Sequence, residues 1–177
     1  MVSRRWRALA IGTAFGAAAG CVVAPSAPPR AGRGVARAPV PAPSEADPEA
    51  ILAGLVAAHN RARAEAGRPA LEAEARLTAA AREHARFMAA RRRLSHRGRG
   101  GSSPFQRIEA QGYRFRRAGE NIAVGPLTLD ELMRAWLRSP GHRRNILGAF
   151  SQIGAACAIA EDGASYWCVT FGDPWDR

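Results

Sequence analysis

Two segments near the C-terminus constrain the fold of this chain more than any other feature. The segments "QIGAACAIA" (152–160) and "SYWCVTFG" (165–172) are apolar at successive positions, so a strand formed by either is apolar on both faces. A sheet made of such strands must be covered on each side. The segment "NIAVG" (121–125) predicts a further strand. The sheet is therefore expected to lie between layers of helix.

The residues before this pair of strands predict four helices with recognisable end signals. Asp47 is the expected N-cap of the first, and capping boxes open the third at Ser103 and the fourth at Thr128. The four segments run from Asp47 to Gly67, from about 72 to 92, from Ser103 to Gly112, and from Thr128 to "SPG" (139–141). Helices followed by a hairpin whose strands are apolar on both faces predict an α+β fold with the sheet in the middle.

The first 20 residues have the layout of an export signal. A positively charged start precedes an apolar run that is too short to span a bilayer and ends in small residues before Cys21. The segment "AAGC" (18–21) resembles the lipobox of bacterial lipoproteins, in which the cysteine is acylated and becomes the mature N-terminus. The alternatives are an ordinary signal peptide cleaved near Ala24 and a short buried helix. We predict lipidation of Cys21.

Residues 21–46 are rich in Pro, Ala and Arg and have no apolar period. This composition predicts a semi-extended tether that spans at most about 75 Å. The folded domain is then expected over 47–177, as a monomer held at a membrane of the cell envelope by its lipid anchor. A secreted or periplasmic soluble protein is the alternative localisation.

Export to an oxidising compartment favours a disulfide between the two remaining cysteines, Cys157 and Cys168. If Asp162 and Gly163 form a two-residue hairpin turn, the residue pairs counted outward place Cys157 directly opposite Cys168. Directly opposed strand residues lie within disulfide reach. We therefore predict a structural disulfide, because the alternatives, a thiol nucleophile and a metal ligand, are disfavoured by this register.

The basic charge of the chain is weak support for a nucleic-acid partner. All 26 basic residues are arginine, and the formal net charge is +11. The densest basic run, "RRRLSHRGRG" (91–100), has no interleaved aromatic residues, and the export signal places the domain outside the cytoplasm. We predict no nucleic-acid partner, and we interpret the run as a solvated loop that could touch anionic lipid or cell-wall polymer.

Four histidines are candidates for a functional site, and two of them are better explained as core residues. His59 and His84 fall on apolar helix faces at core spacing. His96 and His142 instead follow helix ends, in predicted loops, where functional sites are usually built. Glu120 is a further candidate, in a glycine-bracketed segment at the edge of a predicted strand. Spacing alone does not show whether these three share a site.

Several short motifs occur together and in a fixed order. They are "HNRAR" (59–63), "LSH" (94–96), "AGENIA" (118–123), "AW" (135–136) and "SPGHRRNIL" (139–147), followed by "QIGAACA" and "YWCVTFG". This ordered set resembles the CAP family (cysteine-rich secretory proteins, antigen 5 and plant pathogenesis-related proteins) in its bacterial form, over about residues 48–175. The resemblance implies a three-layer α-β-α sandwich with a mainly antiparallel central sheet.

The resemblance also implies a site. Members of the family carry a cleft with two histidines and two acidic residues, found with a divalent metal in several cases. The matching positions here are His96, Glu120 and His142, whereas the second acidic position is occupied by Ser139. Two imidazoles and one carboxylate are suitable ligands for zinc, with a position left open for water.

The function implied by the resemblance is ligand binding, since some members take sterol, lipid or glycan ligands and the family has no agreed reaction. We expect an envelope-anchored domain that binds lipid or cell-wall glycan or peptide at this cleft. The alternative is a metal-dependent hydrolase of peptide, ester or glycan bonds with His96, Glu120 and His142 as catalytic residues. Ser139 weighs against it, because one carboxylate cannot be both metal ligand and general base. Neither Ser95 nor Ser139 lies in a motif that activates a hydroxyl.

Overall fold

The computed structural model describes residues 47–175. The predicted signal peptide, the predicted lipidation site Cys21 and the predicted tether lie outside the described residues, as do the last two residues of the chain. Among the helices of residues 47–175, none is long and apolar enough to cross a membrane.

Five helices and four strands make up the described part of the chain, with one 3₁₀ turn at Arg99–Gly101. The helices are α1 (Pro48–Glu65), α2 (Ala75–Arg91), α3 (Pro104–Ala110), α4 (Leu129–Arg138) and α5 (Pro140–Ile146). The strands are β1 (Glu72–Ala73), β2 (Phe115–Val124), β3 (Gln152–Ile159) and β4 (Ser165–Pro174). All four predicted helices and all three predicted strands are present, whereas β1 and α5 were not predicted.

The starts of three helices depend on the capping side chains that the sequence indicates. Asp47 accepts a hydrogen bond from a first-turn amide of α1 at 3.0 Å. Ser103 forms a reciprocal capping box with Gln106 at the start of α3, and Thr128 forms one with Glu131 at the start of α4. These bonds satisfy amide groups that a first helical turn leaves without partners, so the helices begin where predicted.

The four strands form one sheet in the order β1-β3-β4-β2, in which only β1 and β3 are parallel. One face packs against α1, α4 and α5, with Leu55 and Trp136 fully buried. The other face packs against α2, where Met88 is fully buried. This arrangement confirms the predicted α+β fold, a three-layer α-β-α sandwich with a mainly antiparallel sheet.

The hairpin between β3 and β4 has a three-residue loop, so the prediction of a two-residue turn was wrong. The amide of Ala160 donates to the carbonyl of Ala164 at 2.9 Å, and the amide of Gly163 donates back to the carbonyl of Ala160 at 2.9 Å. Gly163 has a φ of 80°, in the left-handed region. A left-handed glycine at the end of a three-residue loop is a common hairpin geometry, and it shifts the register by one residue.

This shift also makes the predicted disulfide wrong. Cys157 lies opposite Trp167, and Cys168 lies opposite Ala156. Because successive strand residues point to opposite faces, the two cysteines lie on different sides of the sheet, Cys157 towards α1 and Cys168 towards α2. Both are free thiols. Burial raises the pKa of Cys157 to about 12, so it is a protonated, unreactive side chain.

Most of the segment 139–147 is helical, from Pro140 to Ile146, although His142 was predicted to lie in a loop. Ser139 ends α4, and Pro140 begins α5 immediately, because proline is compatible with the first turn of a helix. His142 therefore lies in the first turn of α5. The proline and glycine of this segment redirect the chain without ending helical structure.

His59 and His84 are fully buried, which confirms their assignment to the core. The ring of His59 packs against the rings of Trp136 and Phe171, with centroid separations of 5.8 and 5.6 Å. Its Nδ1 lies 2.8 Å from the carbonyl oxygen of Leu55, so Nδ1 carries the proton and donates it to that oxygen. His59 thus joins α1 to the sheet and to α4, whereas Nε2 of His84 lies 2.8 Å from the carbonyl oxygen of Ser95 and joins α2 to the loop that follows it.

We expect the free energy of unfolding to decrease as the pH falls from neutrality to 4, in part because of His59. Burial lowers the pKa of His59 from its usual 6.5 to about 4, although the hydrogen bond to Leu55 raises it. As the pH falls, the unfolded chain therefore binds this proton at a higher pH than the native state does. The free energy of unfolding decreases by about 3 kcal/mol between these pH values as a result. Urea unfolding across this range, with His59→Gln as the comparison, measures the effect; an equally steep pH dependence in the variant would contradict it.

Candidate functional site

Glu120 lies within β2, and its side chain is only 2% exposed. Its Oε1 is 2.7 Å from Nδ1 of His96, and its Oε2 is 2.5 Å from Nη2 of Arg107. The thiol of Cys168 donates to Oε2 at 3.5 Å. Burial raises the pKa of Glu120, but the hydrogen bond from His96 and the charge of Arg107 outweigh burial, so the pKa is lowered. Glu120 is therefore an ionised carboxylate held in the interior.

The partner of this carboxylate, Arg107 of α3, was not identified from the sequence. Its side chain is 5% exposed, and besides Glu120 it contacts the loop that follows α2. Nη1 donates to the carbonyl oxygens of His96 at 3.1 Å and Ser102 at 2.9 Å. Among 26 arginines no local pattern distinguishes Arg107, because its partner is in a different element. Arg107 therefore holds both Glu120 and the loop that carries His96.

His96 lies in the loop after α2, as predicted, and its side chain is 54% exposed. An ionised carboxylate only accepts hydrogen bonds, so the hydrogen bond to Glu120 places the proton of neutral His96 on Nδ1. The lone pair is then on Nε2. A carboxylate behind the opposite ring nitrogen is the usual device for orienting a histidine that binds a metal or moves a proton.

His142 lies beside the same network, on α5. Its ring centroid is 6.1 Å from that of Trp136, and its Nδ1 is buried without a hydrogen-bond partner in residues 47–175. Burial and, to a smaller extent, the charge of a protonated His96 together lower the pKa of His142 to about 4. His142 is therefore a neutral imidazole at neutral pH, within electrostatic range of His96.

Two asparagines connect α5 to β2 and fix this arrangement. Asn121 donates to the carbonyl oxygen of His142 at 3.2 Å. Asn145 donates to the side-chain oxygen of Asn121 at 2.8 Å and to the carbonyl oxygen of Glu120 at 3.1 Å. These bonds hold the first turn of α5 against β2. The structure thus brings His96, Glu120 and His142 into one neighbourhood, which spacing alone did not establish.

A metal site with three protein ligands does not fit this geometry. Both oxygens of Glu120 are engaged, and Ser139 supplies no second carboxylate. In the described part of the chain, no three His, Cys, Asp or Glu side chains are grouped so as to hold a metal ion. The donors that fit a metal are the imidazoles of His96 and His142, with Glu120 as the hydrogen-bond partner that orients His96.

The fold and this site define a class of proteins, and a comparison with known families agrees with it. Residues 56–171 match the sequence model of the cysteine-rich secretory protein family, CAP. This match covers well over half of the chain. The chain therefore belongs to the CAP family.

Individual relatives are bacterial. The chain is 34% identical over 113 residues to the uncharacterized protein YkwD of Bacillus subtilis (strain 168); the match covers 63% of this chain and 43% of YkwD, less than half its length. An outer surface protein of Borrelia burgdorferi superposes with a TM-score of 0.63 and 26% identity, over 68% of this chain and 90% of that one. An extracellular protein with an SCP domain from Bacillus anthracis superposes with a TM-score of 0.64 and 22% identity, over 77% of this chain and 45% of that one.

Proposed function

We propose that this protein is a cell-envelope CAP domain that binds a ligand in a cleft at His96 and His142, with Glu120 behind His96 as the partner that orients it. The observation that carries the proposal is the buried ion pair between Arg107 and Glu120, which orients an exposed imidazole. A buried ion pair seldom stabilises a fold more than apolar residues of the same size would. Its use to hold His96 beside a second, neutral imidazole favours a functional role.

The expected ligands are those of the cell envelope, namely lipids and cell-wall glycans or peptides. Two of the similar structures are described as an outer surface protein and an extracellular protein. Neutral imidazoles accept and donate hydrogen bonds, which suits the hydroxyl and amide groups of such molecules. Wild-type full-length chain should retain vesicles of uncharged lipid, or cell-wall fragments stripped of phosphate-containing polymer, and His96→Ala/His142→Ala should not. Equal retention by both proteins would exclude the cleft as the binding site.

We further propose that a divalent metal, zinc before others, is held by His96 and His142. Neutral imidazoles are suitable zinc ligands, and a carboxylate behind one of them is a common second partner. A bound ion of this kind polarises carbonyl and phosphoryl oxygens. In this arrangement Glu120 positions His96, and Arg107 positions Glu120.

Zinc titration of the full-length chain tests the metal. We expect His96→Ala and His142→Ala each to weaken zinc binding about tenfold or more in calorimetry, because each removes one of two ligands. In these variants the rise in Tm that zinc causes should disappear together with zinc binding. His59→Gln is the control: it replaces a buried imidazole whose partners are Leu55, Trp136 and Phe171 and should lower Tm equally with and without zinc. Unchanged zinc affinity in both cleft variants would show that neither histidine is a zinc ligand.

A second candidate function is hydrolysis of peptide, ester or glycan bonds, with His96 as general base. The hydrogen bond from His96 to Glu120 favours it, because it leaves the Nε2 lone pair free to take a proton from a water molecule. Turnover of a peptide, ester or glycan library by the pure chain, lost in His96→Gln, would support hydrolysis. If the pure chain turns over no substrate in the library, the ligand-binding function remains.

We also propose that the chain is exported and anchored through an acylated Cys21. The support is the charged, apolar and small-residue order of the first 21 residues, together with the extracellular relatives. In cells fed a labelled fatty acid, the label should appear on the wild-type protein and be absent from Cys21→Ala. Label that persists in Cys21→Ala would rule out this anchor and favour the secreted or periplasmic form.

A further inference from the structure

A groove with a volume of about 940 Å³ lies between α2 and the loop that follows it. It shares no lining residue with the cleft of the proposed function. One wall consists of α2 side chains, among them Arg82, Arg86, Phe87 and Arg91. The facing wall is the segment 98–101, which contains the 3₁₀ turn.

The groove is basic because its lining contains four arginines and a single glutamate, Glu83. The side chains of Arg86, on α2, and Arg99, on the facing wall, form no ion pair or hydrogen bond with any residue of 47–175. Glu83 offsets only one of the four positive charges, and its carboxylate is directed to the side-chain amide of Gln111 at 3.2 Å instead of forming an ion pair with either arginine. Positive charge on both walls is therefore left for a partner from outside the domain.

The other two arginines of the groove are also weakly engaged. Arg82 reaches Glu49 only at 3.9 Å, between two exposed side chains. The guanidinium of Arg91 lies 6.0 Å from the ring centroid of Phe87. Exposed ion pairs at such distances contribute little to stability, so both guanidinium groups remain available to an anion.

The spacing of these arginines matches an extended ligand better than a small ion. Arg82 and Arg86 are about one helical turn apart on the same side of α2, whereas Arg91 lies roughly 13 Å along the helix axis from Arg82 and about 180° around it, at the opposite edge of the groove. One small anion would contact only a part of this length. A guanidinium fork pairs well with phosphate oxygens, and successive forks along a groove can pair with successive phosphates.

The facing wall carries few side-chain atoms, because three of its four residues are glycine. Gly100 and Gly101 have φ values of 62° and 79°, which favour glycine, and nothing lies within 4 Å of a Cβ built on either. A polymer backbone can therefore approach the chain closely on this side. Arg99 is the charged residue that this wall contributes to the lining of the groove.

We propose that this groove binds an extended anionic polymer whose phosphate groups are spaced along its backbone. A concave groove with charge on two walls admits a flexible chain, whereas a flat bilayer surface contacts only its rim. The site is separate from the cleft of the proposed function, so the two are tested independently. Together they would let an exported domain hold a cell-wall polymer while the cleft is free for its own ligand.

Fluorescence anisotropy with a short labelled poly(glycerol phosphate) and the full-length chain tests this site. We expect Arg86→Gln/Arg99→Gln to weaken binding about tenfold or more and to make it less dependent on salt. The matched control is Arg134→Gln/Arg138→Gln on α4, which removes the same charge from exposed positions outside the groove. The control should keep its affinity within about twofold. His96→Ala should bind the polymer as the wild type does.

Three results would overturn the proposal. Equal weakening in both double variants would mean that net charge alone attracts the polymer. Unchanged affinity in Arg86→Gln/Arg99→Gln, with an unchanged Tm, would mean that the polymer binds elsewhere. Vesicles of anionic lipid that bind as tightly as the polymer, and lose affinity in the same variant, would assign the groove to a membrane surface.

Discussion

Arg107→Met is expected to lower the free energy of unfolding by about 3–5 kcal/mol, because it leaves the Glu120 carboxylate buried without its cation. The Glu120 side chain is 2% exposed, so water cannot replace the guanidinium without opening the core. The loop that carries His96 also loses the two carbonyl contacts of Arg107. Urea unfolding at neutral pH measures the loss.

A double variant separates this buried charge from simple loss of packing. Arg107→Met/Glu120→Gln removes both charges, and it should recover part of the stability lost in Arg107→Met. In the single variant, burial should raise the pKa of Glu120, so the deficit should shrink as falling pH protonates the carboxylate. Arg117→Met, at an exposed position, is the control and should change stability little. A deficit in Arg107→Met that is independent of pH would argue against the buried-charge explanation.

Gly154→Ala is expected to destabilise the fold by about 3 kcal/mol or more, because β3 and α2 touch at this glycine. An added Cβ would lie 2.1 Å from the carbonyl carbon of Leu77 and 2.1 Å from the amide nitrogen of Thr78. Both are backbone atoms, so no side-chain rotation relieves the clash. Thr170, the strand partner of Gly154, donates to the carbonyl oxygen of Leu77 at 3.0 Å and ties the helix to the sheet there.

The matched control is Gly141→Ala. Gly141 lies in α5 with nothing within 4 Å of a built Cβ, so the added methyl group meets open space. Alanine is favoured over glycine inside a helix, and the variant should be as stable as the wild type or more stable by about 0.5–1 kcal/mol. Thermal and urea unfolding of both variants measures the difference. If Gly154→Ala proved as stable as Gly141→Ala, the close approach of α2 to β3 would not be required by the fold.

The helix starts could be predicted because their causes are local. Asp47, Ser103 and Thr128 each satisfy amide groups within three residues, so the signal and the structure lie in the same short segment. The strands could be predicted for a related reason, since apolar residues at successive positions require cover on both faces. Helices followed by strands that need cover on both faces are compatible with few arrangements of layers other than a sheet between helices.

The hairpin shows where local reasoning fails. Asp162 and Gly163 belong to the turn in either register, and the two registers differ only in whether Glu161 is counted into the loop. That one residue decides which face each side chain takes, and therefore whether Cys157 and Cys168 can meet. In the folded domain, Trp167 packs with the α1 layer and Cys168 with the α2 layer, so packing on both faces selects the register.

The sequence by itself determined the four helices α1 to α4, the strands β2 to β4, the layered class of the fold and, through its ordered motifs, the choice of His96, Glu120 and His142 as site residues, but not β1 or α5. Only the tertiary structure decided that Arg107 pairs with Glu120, that this carboxylate orients His96 instead of standing free as a metal ligand, and that the cysteines point apart. The physical reason is the range of the interactions. Caps and apolar periodicity act within one segment, whereas a buried ion pair, a strand register and a groove between elements depend on residues that only the fold brings together.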